Sequence, residues 1–236
     1  MENRQLAEEL TSQLGLDTPP VALAFAESQP AGIPAAADAV PSACTFWREA
    51  ESRVFYAPAT AHANCPIGMM TMGFELSPEV HEQLMQLVGK ACACGYIGAD
   101  EPGKIPTVAK RHAGIVYGPL EDFPGPPDVI LLWLTPRQAM LYSEAAGTLS
   151  WTEAAPTSVL GRPACSALPV ALAQDRSTLS LGCMGMRTFT GIHEDRLLGV
   201  LPGKQAETLS GALPGTIAAN REMSEFYEGH KAQFAR

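Results

Sequence analysis

The chain has 236 residues and a formal net charge of -9, with 46% hydrophobic and 17% charged residues. A chain of this length and composition can bury a substantial core, which excludes a disordered protein. The acidic balance gives no electrostatic basis for binding nucleic acid or an anionic membrane surface, so neither is expected as a partner.

The N-terminus and the hydropathy of the chain predict a cytoplasmic protein. Glu8 and Glu9 stand where the apolar part of a secretory signal would lie, so no signal is expected. The longest apolar stretch, residues 129–134, is too short to span a bilayer. Cysteines in the cytoplasm are not expected to form disulfides, and most of them are small buried apolar residues.

The first predicted element is an amphipathic helix over residues 2–14, where leucines recur every four residues. A double proline then precedes a short apolar strand over residues 21–25. The same order recurs later, because a second double proline precedes an apolar strand over residues 129–134. A helix is predicted next, over residues 136–146.

Two cysteine motifs recur in the two halves of the chain. Ser42-Ala43-Cys44 matches Pro163-Ala164-Cys165, and glycine- and methionine-rich segments follow both Cys65 and Cys183. The two cysteines of a half are 21 and 18 residues apart, and the offsets between halves are 121 and 118. This order predicts an internally duplicated chain of the α/β or α+β class, with two related strand–helix halves about a pseudo-twofold axis.

The predicted organisation is one compact unit of five segments. These are an N-terminal helix (1–18), a first half (19–90), an insertion (91–125), a second half (126–215) and a C-terminal helix (216–236). The insertion carries Cys92 and Cys94, a CxC pair that is a weak metal or redox motif. The pair fits equally well the end of a helix that Gly95 terminates.

Related halves bring equivalent loops together near their axis, so four cysteines are predicted to converge on one metal centre: Cys44, Cys65, Cys165 and Cys183. Thiolate ligands select zinc, copper(I) or an iron–sulfur cluster. The wide spacing and the adjacent glycines favour a [4Fe-4S] cluster, because glycine lets backbone amides approach cluster sulfurs. Methionines on the strand expected after each second cysteine favour copper(I) instead, or simply fill a core. Zinc, thiol redox chemistry and purely structural cysteines remain alternatives.

Three further side chains are candidate catalytic groups. His62, three residues before Cys65, is a candidate ligand, proton-transfer group or thiolate partner, and a structural histidine is the alternative. Arg48 and Arg187 each follow a cysteine of the repeat by four residues. They are candidates for binding an anion or a charged cluster, and surface ion pairs are the alternative.

Three segments carry a resemblance to a known family: Ala43-Cys44-Thr45-Phe46-Trp47-Arg48, Asn64-Cys65-Pro66-Ile67-Gly68 and Leu181-Gly182-Cys183-Met184-Gly185-Met186-Arg187. This pattern resembles that of the DUF169 family of bacterial and archaeal proteins, over about residues 19–215. Members of the family are similar in containing cysteines and in being common in anaerobes, which implies an oxygen-sensitive cofactor. The resemblance implies no particular activity.

The leading functional hypothesis is an iron–sulfur protein acting on a small molecule between the two halves. With three thiolates on a cubane cluster, one iron is open to substrate and lyase, dehydratase or desulfurating chemistry follows. With four, electron transfer to a redox partner or sensing is expected. The alternatives are a soft-metal carrier for copper(I) or zinc, and a non-metal ligand-binding protein. The sequence also leaves room for a homodimer.

Overall fold

The computed structural model of the protein describes residues 1–148 and 159–234. Its strands form one sheet in the order β2-β3-β1-β4-β7-β6-β5. All neighbours pair antiparallel except β5 and β6, which are parallel. The strands are β1 (Val21–Ala26), β2 (Phe55–Pro58), β3 (Gly114–Pro119), β4 (Val129–Leu134), β5 (Val159–Leu160), β6 (Thr178–Ser180) and β7 (Leu197–Pro202).

The part of the chain that the structure describes also contains eight α-helices, which makes the fold mixed α/β as predicted. They are α1 (Asn3–Leu14), α2 (Thr45–Glu49), α3 (Pro66–Met72), α4 (Pro78–Ala93), α5 (Pro136–Ala145), α6 (Ala167–Gln174), α7 (Met184–Thr190) and α8 (Ala206–Ala232).

The two strands predicted after the double prolines, β1 and β4, pair with each other in the middle of the sheet. All six residues of β4 are buried, because helices cover both faces of the sheet. Val129, Leu131 and Trp133 face one apolar core, and the three residues that alternate with them face the other. The strands therefore separate two cores.

The two faces of the sheet carry different helices. One core is formed with α1, α5 and the first half of α8. The other is formed with α2, α3, α6 and α7, and it contains Cys44 and Cys165. We call this second side the cysteine face. Each candidate cysteine of the repeat lies in or immediately before a short helical segment on this face.

The segment that was expected to be an insertion, residues 91–125, contributes a strand to the sheet. β3 lies between β1 and β2 and pairs with both. Its six residues are all buried. The segment therefore supplies an interior strand of the sheet and does not only connect the two halves of the chain.

The methionine-rich segments after Cys65 and Cys183 are short helices, so the prediction of strands there was wrong. Pro66 occupies the first turn of α3, where its missing N–H is not needed. Met69 and Met72, three residues apart, both point into the core. Each helix is seven residues long and ends at a glycine with positive φ, Gly73 or Gly191.

The C-terminal helix begins at Ala206 and not at residue 216. Pro214 lies inside α8 and removes one backbone hydrogen bond without ending the helix. The fully buried Leu213 anchors this part of α8 on the sheet. Two long helices thus occupy different places in the fold, because α8 follows β7 whereas α4 precedes β3.

Candidate functional site

The structure brings the four cysteines of the repeat together on the cysteine face. We call them the four-thiol cluster: Cys44, Cys65, Cys165 and Cys183. Burial first, and then the nearby thiols of Cys65, Cys183 and Cys44, raise the pKa of Cys165, and the thiols of Cys65 and Cys183 contribute in the same way to the raised pKa of Cys44. All six cysteines of the chain are free thiols. The cluster thus joins residues that are up to 139 positions apart in the sequence.

Each cysteine of the cluster is positioned by a turn into a helix. Cys44, Cys65 and Cys183 are the residues immediately before α2, α3 and α7. Cys165 lies in the 3₁₀ turn Ala164–Ser166, which leads into α6. The Cys183 thiol also accepts a hydrogen bond from the Met186 N–H, at 3.4 Å, and so caps α7. The thiol positions are therefore fixed by backbone turns and do not depend on flexible loops.

Gly68 allows α3 to lie close to the turn that carries Cys44. A Cβ atom at this position would stand 2.8 Å from both the Cys65 Sγ and the Ala43 Cβ. Contacts this short do not occur without a shift of the neighbours. Gly185 in α7 is different, because its nearest neighbour would be the Cys183 Sγ at 4.0 Å. Only the first of these glycines is required by the packing of the cluster.

Two hydroxyl groups, which sequence reasoning did not identify, contact the cluster. The Ser42 Oγ is 2.9 Å from the Cys44 Sγ and 3.9 Å from the Cys65 Sγ. The Thr71 hydroxyl donates to the Ile67 carbonyl at 2.7 Å and also interacts with the Cys165 thiol. Both hydroxyls are buried. Only Ser42 could have been suspected, because it belongs to the motif before Cys44.

Burial keeps the thiols of Cys44 and Cys165 neutral. We call these two the inner pair, and Cys65 and Cys183 the outer pair. It raises the pKa of Cys44 to about 12, an effect that the hydrogen bond with Ser42 partly offsets. Burial, and next the neighbouring Cys65, raise the pKa of Cys165 well above its ordinary value. Cys65 and Cys183 are half-buried. A ligand that requires thiolates must therefore displace protons from the inner pair, which makes its binding dependent on pH.

His62 is fully buried, and both of its ring nitrogens have partners. The Pro58 carbonyl lies 2.9 Å from Nδ1, and the Tyr117 hydroxyl lies 3.0 Å from Nε2. Since a carbonyl only accepts, Nδ1 carries the proton and Tyr117 donates to Nε2. Burial lowers the pKa of His62 to about 4. The ring is thus neutral near pH 7, and neither nitrogen is free to ligate a metal.

Tyr117 connects His62 to the thiols. It interacts electrostatically with Cys165, Cys44 and Cys65, and burial raises its pKa well above the ordinary value. The residue lies on β3, in the segment expected to be an insertion. The signal that could have found it was a tyrosine inside an apolar strand, since a buried phenol needs a hydrogen-bond partner.

Arg48 forms an ion pair with Glu51 in the next turn of the chain. The Glu51 carboxylate also accepts a hydrogen bond from the Trp133 indole at 2.9 Å. Burial raises the pKa of Glu51, and the nearby Arg48 charge opposes that effect. This arrangement matches the ion pair that was considered as the alternative for Arg48.

Arg187 binds backbone carbonyls on both sides of α7. Its guanidinium donates to the carbonyls of Leu181, Glu194 and Arg196, at 2.6, 3.2 and 3.2 Å. These bonds tie the turn before Cys183 to the segment that leads into β7. Arg187 therefore acts as a positioning residue for the Cys183 turn.

Cys92 and Cys94 lie at the end of α4. The Cys92 thiol donates weakly to the Gly98 carbonyl at 4.0 Å, and the Cys94 thiol is exposed. The loop that follows reaches α7, because the Tyr96 hydroxyl accepts a hydrogen bond from the Met184 N–H at 3.3 Å. The CxC pair thus flanks the outer side of the cysteine face.

The spacing of the ligand atoms distinguishes between kinds of metal centre. Among residues 1–148 and 159–234, no group of three or more His, Cys, Asp or Glu side chains is arranged to hold a metal ion. A tetrahedral ion with bonds of about 2.3 Å needs its sulfurs about 4 Å apart. An iron–sulfur cluster holds its thiolates farther apart, because each binds a different iron. A single ion and an iron–sulfur cluster therefore require different spacings of the thiols that hold them.

Two buried polar atoms of α2, the helix that follows Cys44, have no hydrogen-bond partner among the described residues: the Thr45 Oγ1 and the Trp47 Nε1. Trp47 is fully buried and follows Cys44 by three residues, so both lie on the same side of α2. An unpaired buried donor is costly and calls for an explanation. Met72 and Met186, in contrast, are buried in the apolar core, which is the ordinary use of methionine.

The fold and the site define a mixed α/β protein with four thiols gathered on one face of its sheet. A family model, DUF169, described as "Uncharacterised ArCR", matches residues 9–211. The chain therefore belongs to the DUF169 family, as its cysteine motifs predicted. No curated protein and no solved structure matches it significantly. Within the described residues, no helix is both long enough and apolar enough to cross a membrane.

Proposed function

We propose that the four-thiol cluster binds a [4Fe-4S] cluster, and that the protein is an enzyme or redox protein acting on a small molecule. One observation carries this proposal: the thiols of Cys65 and Cys183 are near enough to both Cys44 and Cys165 to contribute to the raised pKa of each, which indicates that four thiols from distant parts of the chain lie near one another. Six free cysteines scattered as ordinary buried residues would not be expected to gather in this way. Sulfur-only ligand sets are typical of iron–sulfur proteins.

The proposal includes an internal duplication of the chain. β1 and β4 are central and antiparallel, with β3 then β2 on one side and β7 then β6 on the other. α3 and α7 have equal length, begin after a cysteine and end at a glycine. This correspondence supports two related halves about a pseudo-twofold axis, with each half supplying two thiols. The outermost strand β5 has no counterpart in it.

The unpaired indole N–H of Trp47 supports a sulfur-rich group next to Cys44. Cluster sulfurs accept hydrogen bonds, and such bonds help to set the potential of the cluster. When bound, the iron–sulfur cluster would supply one-electron transfer. With only three thiolate ligands, it would instead supply an open iron that polarises a substrate. In the chain itself, Cys44 and Cys165 must lose their protons, and Arg187 holds the turn of Cys183.

A small molecule is expected to approach from the side of the outer thiols. Cys65 and Cys183 are half-buried, whereas Cys44 and Cys165 are enclosed in the core. The exposed apolar side chains of Leu181 and Met184 flank Cys183. If only three thiols bind the cluster, the cysteine that does not bind is therefore Cys65 or Cys183. The protein would then carry out substrate chemistry at the open iron, whereas binding of all four thiols would favour electron transfer.

Purification without oxygen, followed by iron, sulfide and absorption measurements, tests the proposal. We expect about four irons and four sulfides per chain, with a broad visible band that is lost when Cys44 or Cys165 is replaced by alanine. Cys94→Ala is the matched control, because Cys94 is exposed and outside the cluster. Colourless, iron-free protein would contradict the proposal. Stoichiometric copper or zinc without sulfide would favour the soft-metal carrier instead.

A further inference from the structure

The second half of α8 extends away from the rest of the protein. Ala206, Leu209 and Leu213 in its first turns are buried against the sheet. From residue 221 to residue 234, every side chain that the structure describes is exposed. Most of the stability of a helix in a protein comes from packing of its apolar face, and this part of α8 gains none from the rest of the chain. The helix ends at Ala232, and Gln233 and Phe234 continue it as a turn in which the Phe234 N–H donates to the Lys231 carbonyl. This segment, residues 221–234, is called the distal helix below.

The distal helix carries an apolar stripe along one side. Its large side chains and their exposed fractions are Met223 (49%), Phe226 (64%), Tyr227 (58%) and Phe234 (73%). Phe226, Tyr227, His230 and Phe234 follow Met223 by three, four, seven and eleven residues. At helical spacing all five side chains lie within a stripe about 100° wide. The His230 ring contacts those of Phe226 and Phe234, with centroids 6.4 and 5.0 Å apart.

The area of this stripe suits a second copy of the same helix. Large side chains of this kind cover about 200 Å² each, so at the observed exposures the stripe offers roughly 500 Å². Two copies facing each other would bury about 1,000 Å², the lower limit for a specific interface. The expected product is a reversible dimer and not an obligate one.

The charges of the distal helix select an antiparallel arrangement. Residues 221–228 carry three carboxylates and one cation, Arg221, whereas residues 229–234 carry His230 and Lys231 with no carboxylate; Lys231 also pairs with Glu228 of its own helix. A parallel pair would place the acidic parts against each other, whereas an antiparallel pair places each acidic part beside the basic part of the other helix. Antiparallel helices also oppose their macrodipoles favourably.

We propose that a second copy of this chain docks antiparallel on the distal helix and forms a twofold-symmetric dimer. In this arrangement Met223 packs opposite Phe234 of the second copy, and Tyr227 packs opposite His230. In the same register Phe226 packs opposite the alkyl stem of Lys231, so each large apolar residue meets a large partner, as a self-complementary twofold interface requires. The inference stands independently of the proposed iron–sulfur cluster, because the distal helix contacts neither the sheet nor the thiols.

Sedimentation velocity of the full chain over a range of concentrations tests the dimer. We expect a reversible monomer–dimer equilibrium whose dissociation constant rises at least about tenfold in Phe226→Glu. Met85→Glu is the matched control, because Met85 is an apolar residue of α4 with 55% exposure and lies outside the distal helix. A wild-type monomer at all concentrations would overturn the proposal, as would a dimer that Phe226→Glu leaves intact or that Met85→Glu weakens equally. Far-UV circular dichroism checks that each variant folds.

Oxidative cross-linking tests the orientation. In a Cys92→Ser/Cys94→Ser background, Met223→Cys alone should not cross-link two antiparallel copies, because the two sulfurs would be about 16 Å apart along the axis. Combining Met223→Cys with Phe234→Cys should give an efficient dimer cross-link. Efficient cross-linking of the Met223→Cys single variant would show a parallel pair and overturn the antiparallel proposal.

Discussion

The inner and outer pairs of the four-thiol cluster differ in their surroundings. The inner pair consists of the first cysteine of each half of the chain, and the outer pair consists of the second. Cys44 and Cys165 lie in the apolar core, whereas Cys65 and Cys183 are half-buried at the starts of two equal helices. The inner pair therefore contributes to the stability of the protein and resists ionisation. The outer pair has access to solvent and costs little to replace. The same residue type is thus part of the apolar core on one side of the site and borders solvent on the other.

Alanine replacement of one cysteine from each pair tests this difference directly. Cys165→Ala removes a buried sulfur and should lower the free energy of unfolding of the metal-free protein by about 1–2 kcal/mol. Cys183→Ala removes only a half-buried thiol and its weak cap on α7, and should cost less than about 1 kcal/mol. Urea denaturation measures both values. Equal costs would show that the two pairs do not differ as described.

The two glycines of the short helices sharpen the comparison. Gly68→Ala forces a Cβ against Cys65 and Ala43 and should destabilise the protein by about 1–3 kcal/mol. Gly185→Ala meets open space and should be neutral or stabilise α7 by up to about 1 kcal/mol. Thermal unfolding of the pair measures the contrast. If Gly68→Ala were as stable as Gly185→Ala, α3 would not lie as close to Cys44 as we find.

The inner thiols should make the metal-free protein less stable at high pH. The pKa of Cys44 rises from its ordinary value of 9.0 to about 12 on folding, so between these values the folded state holds more protons than the unfolded state. Stability is thus fully present below pH 9 and falls as pH rises towards 12, by up to about 1.4 kcal/mol per pH unit for each such thiol. Chemical denaturation at several pH values measures the slope.

Two controls identify the origin of that slope. Cys44→Ala should reduce it, and Cys94→Ala should leave it unchanged, because Cys94 is exposed. Stability that does not change between pH 9 and pH 11 would mean that the inner thiols are not buried as described.

The smallest expected effect distinguishes the two arginines. Arg187→Gln loses bonds to three carbonyls and should destabilise the turn of Cys183 by about 1–2 kcal/mol. Arg48→Gln loses one partly exposed ion pair and should cost less than about 1 kcal/mol. Hydrogen exchange at Leu181 to Cys183 should speed up only in Arg187→Gln. Equal exchange in the two variants would remove the positioning role of Arg187.

The sequence was informative where the local pattern alone decides the structure. The central strands β1 and β4 were predicted because each is a short apolar run after a double proline. The resemblance to DUF169 was confirmed from motifs around three of the cysteines. Strand β7 was not predicted, because its pairing with β4 depends on residues more than 60 positions away. Long-range pairing of this kind leaves little local signal.

The site was predictable only in part. The matched spacing of the cysteines indicated that they belong together, but their unequal burial depends on the packing of α2, α3, α6 and α7. His62 was proposed as a reactive group because it precedes Cys65, yet its nitrogens bind Pro58 and Tyr117. Nothing in the sequence near His62 identifies these partners, since Tyr117 is contributed by a strand 55 residues further on.

X-ray absorption at the iron edge, on protein purified without oxygen, tests the central claim most directly. We predict a first shell made only of sulfur at about 2.3 Å, together with a shell of neighbouring iron atoms, and loss of both in Cys44→Ala. An iron environment of nitrogen or oxygen without neighbouring iron would contradict a cluster held by the four thiols, and so would protein that takes up no iron.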